Sequence, residues 1–200
     1  MPTRIGVLGG TFDPIHYGHL AIAEEARAAL GLERVLLVPA AQQPFKQGIT
    51  VTPAERRLEM VRLACQGNPA FEASPVELER PGPSYTVTTL EELHARLDVE
   101  LLFIVGGDAV RDMPRWRRAP ELPALAQIVI VQRPLVTLDL ARLVEELPQL
   151  RGHYTLLEGP SIELSSTELR ARVAAGRPIR YLVPDPVAAY IAEHGLYREF

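Results

Sequence analysis

The chain has 200 residues, 47% apolar and 23% charged, with a formal net charge of −4. That is enough chain to bury one sizeable α/β core, and the net negative charge argues against bulk affinity for nucleic acid. A single cysteine, Cys65, excludes an internal disulfide and a cysteine-cluster metal site. No apolar run has membrane-spanning length, and the N-terminus lacks a charged-then-apolar leader, so the expected compartment is the cytoplasm. Of the 21 basic residues only Lys46 is a lysine, the rest being arginines. Lysine is a compact, flexible point charge where arginine is a planar fork. Its lone survival at Lys46 reads either as a site that needs that charge or as chance at a surface loop.

The first apolar run, Arg4–Leu8, reads as a buried strand. After it comes Gly9-Gly10-Thr11-Phe12-Asp13-Pro14-Ile15-His16-Tyr17-Gly18-His19, then an Ala/Glu/Leu-rich helix over Leu20–Leu30. A Gly-rich strand-to-helix turn offers backbone N–H groups and the positive end of a helix to a phosphate. His16 and His19, three apart, share one face at the helix start. Together they suggest chemistry on the phosphate. Zinc fits poorly, because Asp13 is near but no further ligand is evident.

Further strands are expected at Arg34–Pro39, Phe71–Ala73, Glu100–Val105, Ala126–Gln132 and Tyr154–Leu157. Their continuous apolar character suits a mostly parallel sheet covered on both faces. Thr52-Pro53-Ala54-Glu55 reads as a capping box opening a helix through Cys65 that Gly67 ends. Ser84–Leu97 reads as an amphipathic helix through Val87, Leu90, Leu93 and Leu97. Arg111, Arg115, Arg117 and Arg118 cluster around Trp116, the single tryptophan, in a setting too polar for a core anchor. The cluster suits a small polyanion or a solvated loop. Arg133–Pro148 is proline-rich but too apolar for a linker. Ser165-Ser166-Thr167-Glu168 is a second capping box, closed by Gly176, with Arg170 one turn in. Two hydroxyls, helix amides and an arginine there suit an anion. Asp185-Pro186 opens the last helix, closed by Gly195.

The alternation predicts an α/β, doubly wound, mostly parallel, Rossmann-like fold spanning 1–200 as one domain. A small C-terminal helical part is expected over about 160–200. The Gly-x-Gly-x-x-Gly dinucleotide fingerprint is missing after the first strand. Ligands are expected at the carboxyl ends of the strands, where the first turn, Pro39–Lys46, Gly106–Asp108 and Arg133 fall.

The segment Gly9–His19 resembles the signature of nucleotidyltransferases, His-x-Gly-His after a Gly-rich first turn, here His16-Tyr17-Gly18-His19. Ser165-Ser166-Thr167-Glu168-Leu169-Arg170 resembles the Ser-Ser-Thr-x-x-Arg element of the same superfamily, about 150 residues further on. Gly82-Pro83-Ser84-Tyr85-Thr86, Trp116 and Tyr181-Leu182-Val183-Pro184 look like the bacterial nicotinate-mononucleotide adenylyltransferases. That resemblance covers nearly the whole chain.

It implies a nucleotidyltransferase fold and transfer of the adenylyl group of ATP to nicotinate mononucleotide, with Mg²⁺ arriving on ATP and no protein metal site. It implies His16, His19, Lys46 and Arg170 at the reacting phosphates. Gly9, Gly10, Thr11, Phe12, Gly18, Gly106, Asp108, Ser165, Ser166 and Thr167 would hold ATP. Lys46, Ser84, Tyr85, Thr86, Trp116 and Arg133 would hold the mononucleotide. Phe45 stands where the family usually has histidine. The rival readings are a phosphopantetheine-type adenylyltransferase and a non-catalytic nucleotide-sensing module. Neither nucleic acid nor membrane is implied as a partner, and the oligomeric state is left open.

Overall fold

A computed structural model of the chain describes residues 2–42, 52–132 and 138–198. Lys46, Phe45 and Arg133 lie outside the described residues.

Six strands form one sheet: β1 (Arg4–Gly10), β2 (Arg34–Pro39), β3 (Phe71–Ala73), β4 (Glu100–Gly106), β5 (Gln127–Gln132) and β6 (Tyr154–Glu158). The order is β3-β2-β1-β4-β5-β6, and every pairing is parallel. This is the doubly wound α/β arrangement. Its strand order reverses direction at β1, so the crevice for a ligand opens between the ends of β1 and β4.

The strands alternate their buried side chains between two cores. Ile5 and Val7 of β1, Phe103 and Val105 of β4, and Ile128 and Ile130 of β5 face one cluster. That cluster is closed by α3 (Thr86–Arg96), through Val87, Leu90 and Leu93, and by Leu143 of α6 (Leu140–Glu146). Leu8, Leu102, Ile104, Val129 and Val131 face the other. There they meet Ala23 and Ala26 of α1 (Tyr17–Leu30) and Met60 and Val61 of α2 (Ala54–Cys65).

Two C-terminal helices, α7 (Ser166–Ala174) and α8 (Asp185–Glu193), contribute Leu169, Val187 and Ile191 to that same second core. They end at Gly176 and Gly195, both at positive φ, which only glycine adopts without strain. Short helices α4 (Gly107–Val110) and α5 (Leu122–Leu125) fill the β4–β5 connection. The apolar stretch before Pro148 carries α6, capped by Asp139, whose side chain accepts from the Arg142 amide at 2.9 Å.

Two local expectations differ. Helix α1 begins at Tyr17, three residues early, which makes His16 its N-cap and His19 its third residue. Thr52 does not cap α2; the cap position is Pro53 and carries no side-chain bond. Thr52 instead donates its amide to Asp13 Oδ2 (3.2 Å), and its carbonyl accepts from Arg57 Nε (2.8 Å). Helix α2 ends at Cys65, as expected, in a turn over Gln66 and Gly67. The C-cap is Gln66, and the Asn68 amide closes the turn onto the Cys65 carbonyl.

Candidate active site

The end of β1 and the head of α1 carry the two histidines. Their rings stack at 3.7 Å between centroids, 20° from parallel. His16 is buried and His19 is half-buried. The His16 backbone N–H donates to His19 Nδ1 at 3.3 Å. An Nδ1 that accepts carries no proton, so Nε2 bears it and His19 is a donor at its outer nitrogen. Phe12, at φ 50°, sets its ring edge-on to His19 at 5.0 Å. Gly18 permits the stack, because a Cβ there would lie 3.0 Å from His16 Nδ1. Gly10 is constrained in the same way by the Phe12 ring, 2.9 Å from a hypothetical Cβ.

The second predicted element joins this turn in space. Ser166 Oγ donates to the Pro14 carbonyl at 2.9 Å, and Arg170 Nη1 to the Asp13 carbonyl at 2.8 Å. Ser165 caps α7, its Oγ accepting from the Glu168 amide at 3.1 Å. Thr167 Oγ1 lies 3.4 Å from Arg170 Nη2. The α7 start is therefore fastened beside the histidines by backbone carbonyls of the signature turn.

Sequence reasoning missed what lies beneath. Arg57, 2% exposed, donates to the carbonyls of Thr11 (2.7 Å), Ala40 (2.6 Å) and Thr52 (2.8 Å). Asp13, 3% exposed, accepts from the Tyr197 hydroxyl at 2.7 Å. Burial pulls the Arg57 guanidinium below its ordinary value, and the charge of Asp13 opposes it. Burial, then Asp13, pushes the Tyr197 phenol up. A signal for Arg57 was available. It lies on the α2 stripe formed with Met60, Val61 and Ala64, where an arginine interrupts an apolar i, i+3, i+4, i+7 pattern.

A cavity of about 320 Å³ opens beside the β1 and β4 ends. Its walls include Gly9, Gly10, Gly106, Phe103, Ser84, Tyr85, Thr86, Trp116 and Arg117. Tyr85 is the N-cap of α3 and Thr86 its first residue, so the positive end of that helix faces the cavity wall. Ser84 Oγ accepts from the Ala41 amide at 2.9 Å and ties this turn to the end of β2. Trp116 is half-buried and packs edge-on to Phe103 at 6.1 Å.

The arginine cluster divides. Arg117 lies over the Tyr85 ring at 4.8 Å, whereas Arg118 pairs with Glu91 (2.7 Å) and with Glu121. Asp108 is exposed in the first turn of α4, just past Gly106. Thus the cavity collects Ser84, Tyr85, Thr86 and Trp116 of the predicted mononucleotide residues with Gly9, Gly10 and Gly106. The histidines, Phe12, Ser165, Ser166, Thr167 and Arg170 form a separate group around the signature turn.

Comparisons with known proteins place the chain in a family. Residues 7–172 match the model of the cytidylyltransferase-like family. A probable nicotinate-nucleotide adenylyltransferase from Roseiflexus sp. (strain RS-1) is 58% identical over 194 residues, covering 97% of this chain and 98% of the relative. One from Thermomicrobium roseum is 45% identical over 197 residues, 98% of this chain and 92% of the relative. The nicotinic acid mononucleotide adenylyltransferase of Plasmodium falciparum, solved in complex with NaAD, superposes with a TM-score of 0.80 at 19% identity. That match covers 98% of both chains and shows the fold. The chain belongs to the cytidylyltransferase-like family and, within it, to the nicotinate-nucleotide adenylyltransferases.

Proposed function

We infer that the chain transfers the adenylyl group of ATP to nicotinate mononucleotide, forming deamido-NAD and releasing pyrophosphate. The observation that carries this reading is the juxtaposition at the sheet's switch point. A pair of stacked histidines stands past the end of β1, whose Gly9 and Gly10 also wall a cavity closed by a helix N-terminus and a tryptophan. The first suits a triphosphate and the second a flat ring bearing a carboxylate.

The nucleophile is the mononucleotide phosphate, whose second pKa is near ~6, so it is largely ionised at neutral pH without a general base. The protein's work is to align two phosphates and to neutralise charge. His19, protonated at Nε2, donates to a triphosphate oxygen, with His16 beside it. The amides at the start of α7, the Ser165 hydroxyl, Thr167 and Arg170 hold the β- and γ-phosphates. Ser166 contributes its amide there, since its hydroxyl proton is given to Pro14. Gly9, Gly10, Thr11, Phe12 and Gly18 shape the phosphate turn. Gly106 and Asp108 take the adenosine ribose, where a carboxylate accepts from hydroxyls. Lys46 bridges the charge of donor and acceptor, and Arg133 contacts phosphate.

In the cavity, the Thr86 amide end of α3 and Tyr85 hold the nicotinate carboxylate, Ser84 fixes that turn, and Trp116 stacks on the ring. Magnesium enters with ATP, on phosphates and water. Among the described residues no group of three or more His, Cys, Asp or Glu could hold a metal ion. The donors around the signature turn, imidazole, hydroxyl, amide and guanidinium, suit phosphate oxygens.

The test is product formation from ATP and Mg²⁺ with nicotinate mononucleotide or phosphopantetheine as acceptor. Deamido-NAD from the first alone supports the reading. Turnover of phosphopantetheine alone moves the chain to the other class, and turnover of neither favours a sensing module.

A further inference from the structure

Three charged side chains of the cavity wall, Glu77, Asp112 and Arg117, have no part in the roles above, and of these only Glu77 is buried. Glu77 is 7% exposed and lines the cavity with Tyr85, Thr86 and Trp116. Its Oε1 accepts from the Thr89 hydroxyl at 2.5 Å. Arg80 Nη2 lies 3.8 Å from the same oxygen and donates to Thr89 Oγ1 at 2.8 Å. Its Oε2 is buried and has no hydrogen-bond partner among the described residues. The Thr89–Arg80 cluster therefore accounts for one carboxylate oxygen and leaves the other unmatched. An unmatched buried acceptor is costly, and the Thr89–Arg80 cluster does not satisfy it.

Oε2 has almost no surface open to the cavity, so the carboxylate acts on a bound ligand through its charge and not by contact. It cannot face the nicotinate carboxylate, because two like charges in one cavity repel. The nicotinate ring is a zwitterion, with a carboxylate on one side and a quaternary, positively charged nitrogen in the ring. The α3 N-terminus offers positive potential to the first. Glu77, fastened one turn into that helix through Thr89, offers negative charge to the second. We propose that Glu77 is a specificity-determining residue that recognises the positive charge of the mononucleotide's pyridinium ring. Helix end and carboxylate together form a charge pair of opposite sense to the ring's own. This rests on nicotinate mononucleotide being the acceptor.

The test compares two ligands on two proteins. One ligand is nicotinate mononucleotide. The other is its carboxyphenyl C-riboside phosphate, in which carbon replaces the charged ring nitrogen and every other group is kept. Wild type is expected to bind the charged ring about tenfold more tightly than the neutral one. Glu77→Gln removes the charge but keeps an acceptor for Thr89, and is expected to bind the two within about twofold of each other, with the KM for ATP unchanged. Trp116 also attracts a ring cation, so the variant decides. If E77Q keeps the wild-type preference, or if wild type has none, the proposal is overturned. Should E77Q fail to fold, Glu77→Met, which removes the buried carboxylate altogether, makes the same comparison. An active wild type with no preference defeats the role of Glu77 alone. A wild type that does not turn over nicotinate mononucleotide defeats the substrate reading and this inference with it.

Discussion

The histidine side and the cavity side of the cleft are built differently. Around His16 and His19 the backbone is gripped by side chains from distant parts of the chain. Arg57 holds Thr11, Arg170 holds Asp13, Ser166 holds Pro14, and Tyr197 holds the Asp13 carboxylate. The cavity wall rests on fewer side-chain grips: one helix start, the Trp116 loop, and Ser84, whose hydroxyl accepts from the Ala41 amide and ties the turn to β2. Phosphoryl chemistry depends on placing donors to within a fraction of an ångström, whereas a flat ring needs a surface and a dipole. The two sides should therefore fail differently: the first in kcat and stability, the second in KM for one substrate.

The largest effect is expected from His19→Ala. Loss of a transition-state donor should lower kcat by roughly 10²–10³-fold, while thermal unfolding shifts by only a few degrees. A kcat near wild type would remove the phosphate role, and an unfolded variant would make His19 structural.

Arg57→Met comes next. It leaves the carbonyls of Thr11, Ala40 and Thr52 without their donor and Asp13 without its neighbouring charge. Urea titration should show a loss of about 3–5 kcal/mol. A loss below about 1 kcal/mol would mean that the signature turn stands without this grip.

Trp116→Ala tests the other side. The KM for the mononucleotide should rise about tenfold, in keeping with ~1–3 kcal/mol for stacking on an aromatic side chain, and the KM for ATP should stay put. Equal rises in both would erase the distinction between the two sides.

Tyr197→Phe is the mildest change, costing about 1–2 kcal/mol through one buried hydrogen bond. It also carries a pH signature. Because burial and Asp13 raise the folded phenol above its unfolded value, its stabilisation is complete below about pH 10 and is lost as pH rises beyond that. Wild type should lose stability above that pH more steeply than the phenylalanine variant, as read by chemical denaturation at pH 9 to 11. Parallel curves would show that the phenol does not titrate between the two states.

Much of this layout was legible in the sequence, and the reasons are physical. A strand such as Arg34–Pro39 stands at the position read for it, because apolar runs between turn residues have few other ways to be buried. Ser165 capped its helix because the cap is local chemistry. The signature turn was readable because glycines and histidines at close spacing have few structural uses. Asp13, Arg57 and Tyr197 were not read as supports, because their partners lie far along the chain. The Tyr197 hydroxyl reaches across 184 positions to Asp13, and no periodicity encodes that. Arg57 came closest, as a charge on an apolar stripe. Thr52 misled for the complementary reason: its local pattern fits a cap, but tertiary bonds to Asp13 and Arg57 claim its backbone.

The most direct test of the account is pyrophosphate release with ATP and Mg²⁺, comparing nicotinate mononucleotide with its amide. The helix end at Thr86 favours a carboxylate over a neutral carboxamide. The account predicts strong turnover of the acid and at least about tenfold lower kcat/KM for the amide. Equal turnover of the two would contradict the reading of that cavity wall, and no turnover of either would contradict the assigned reaction.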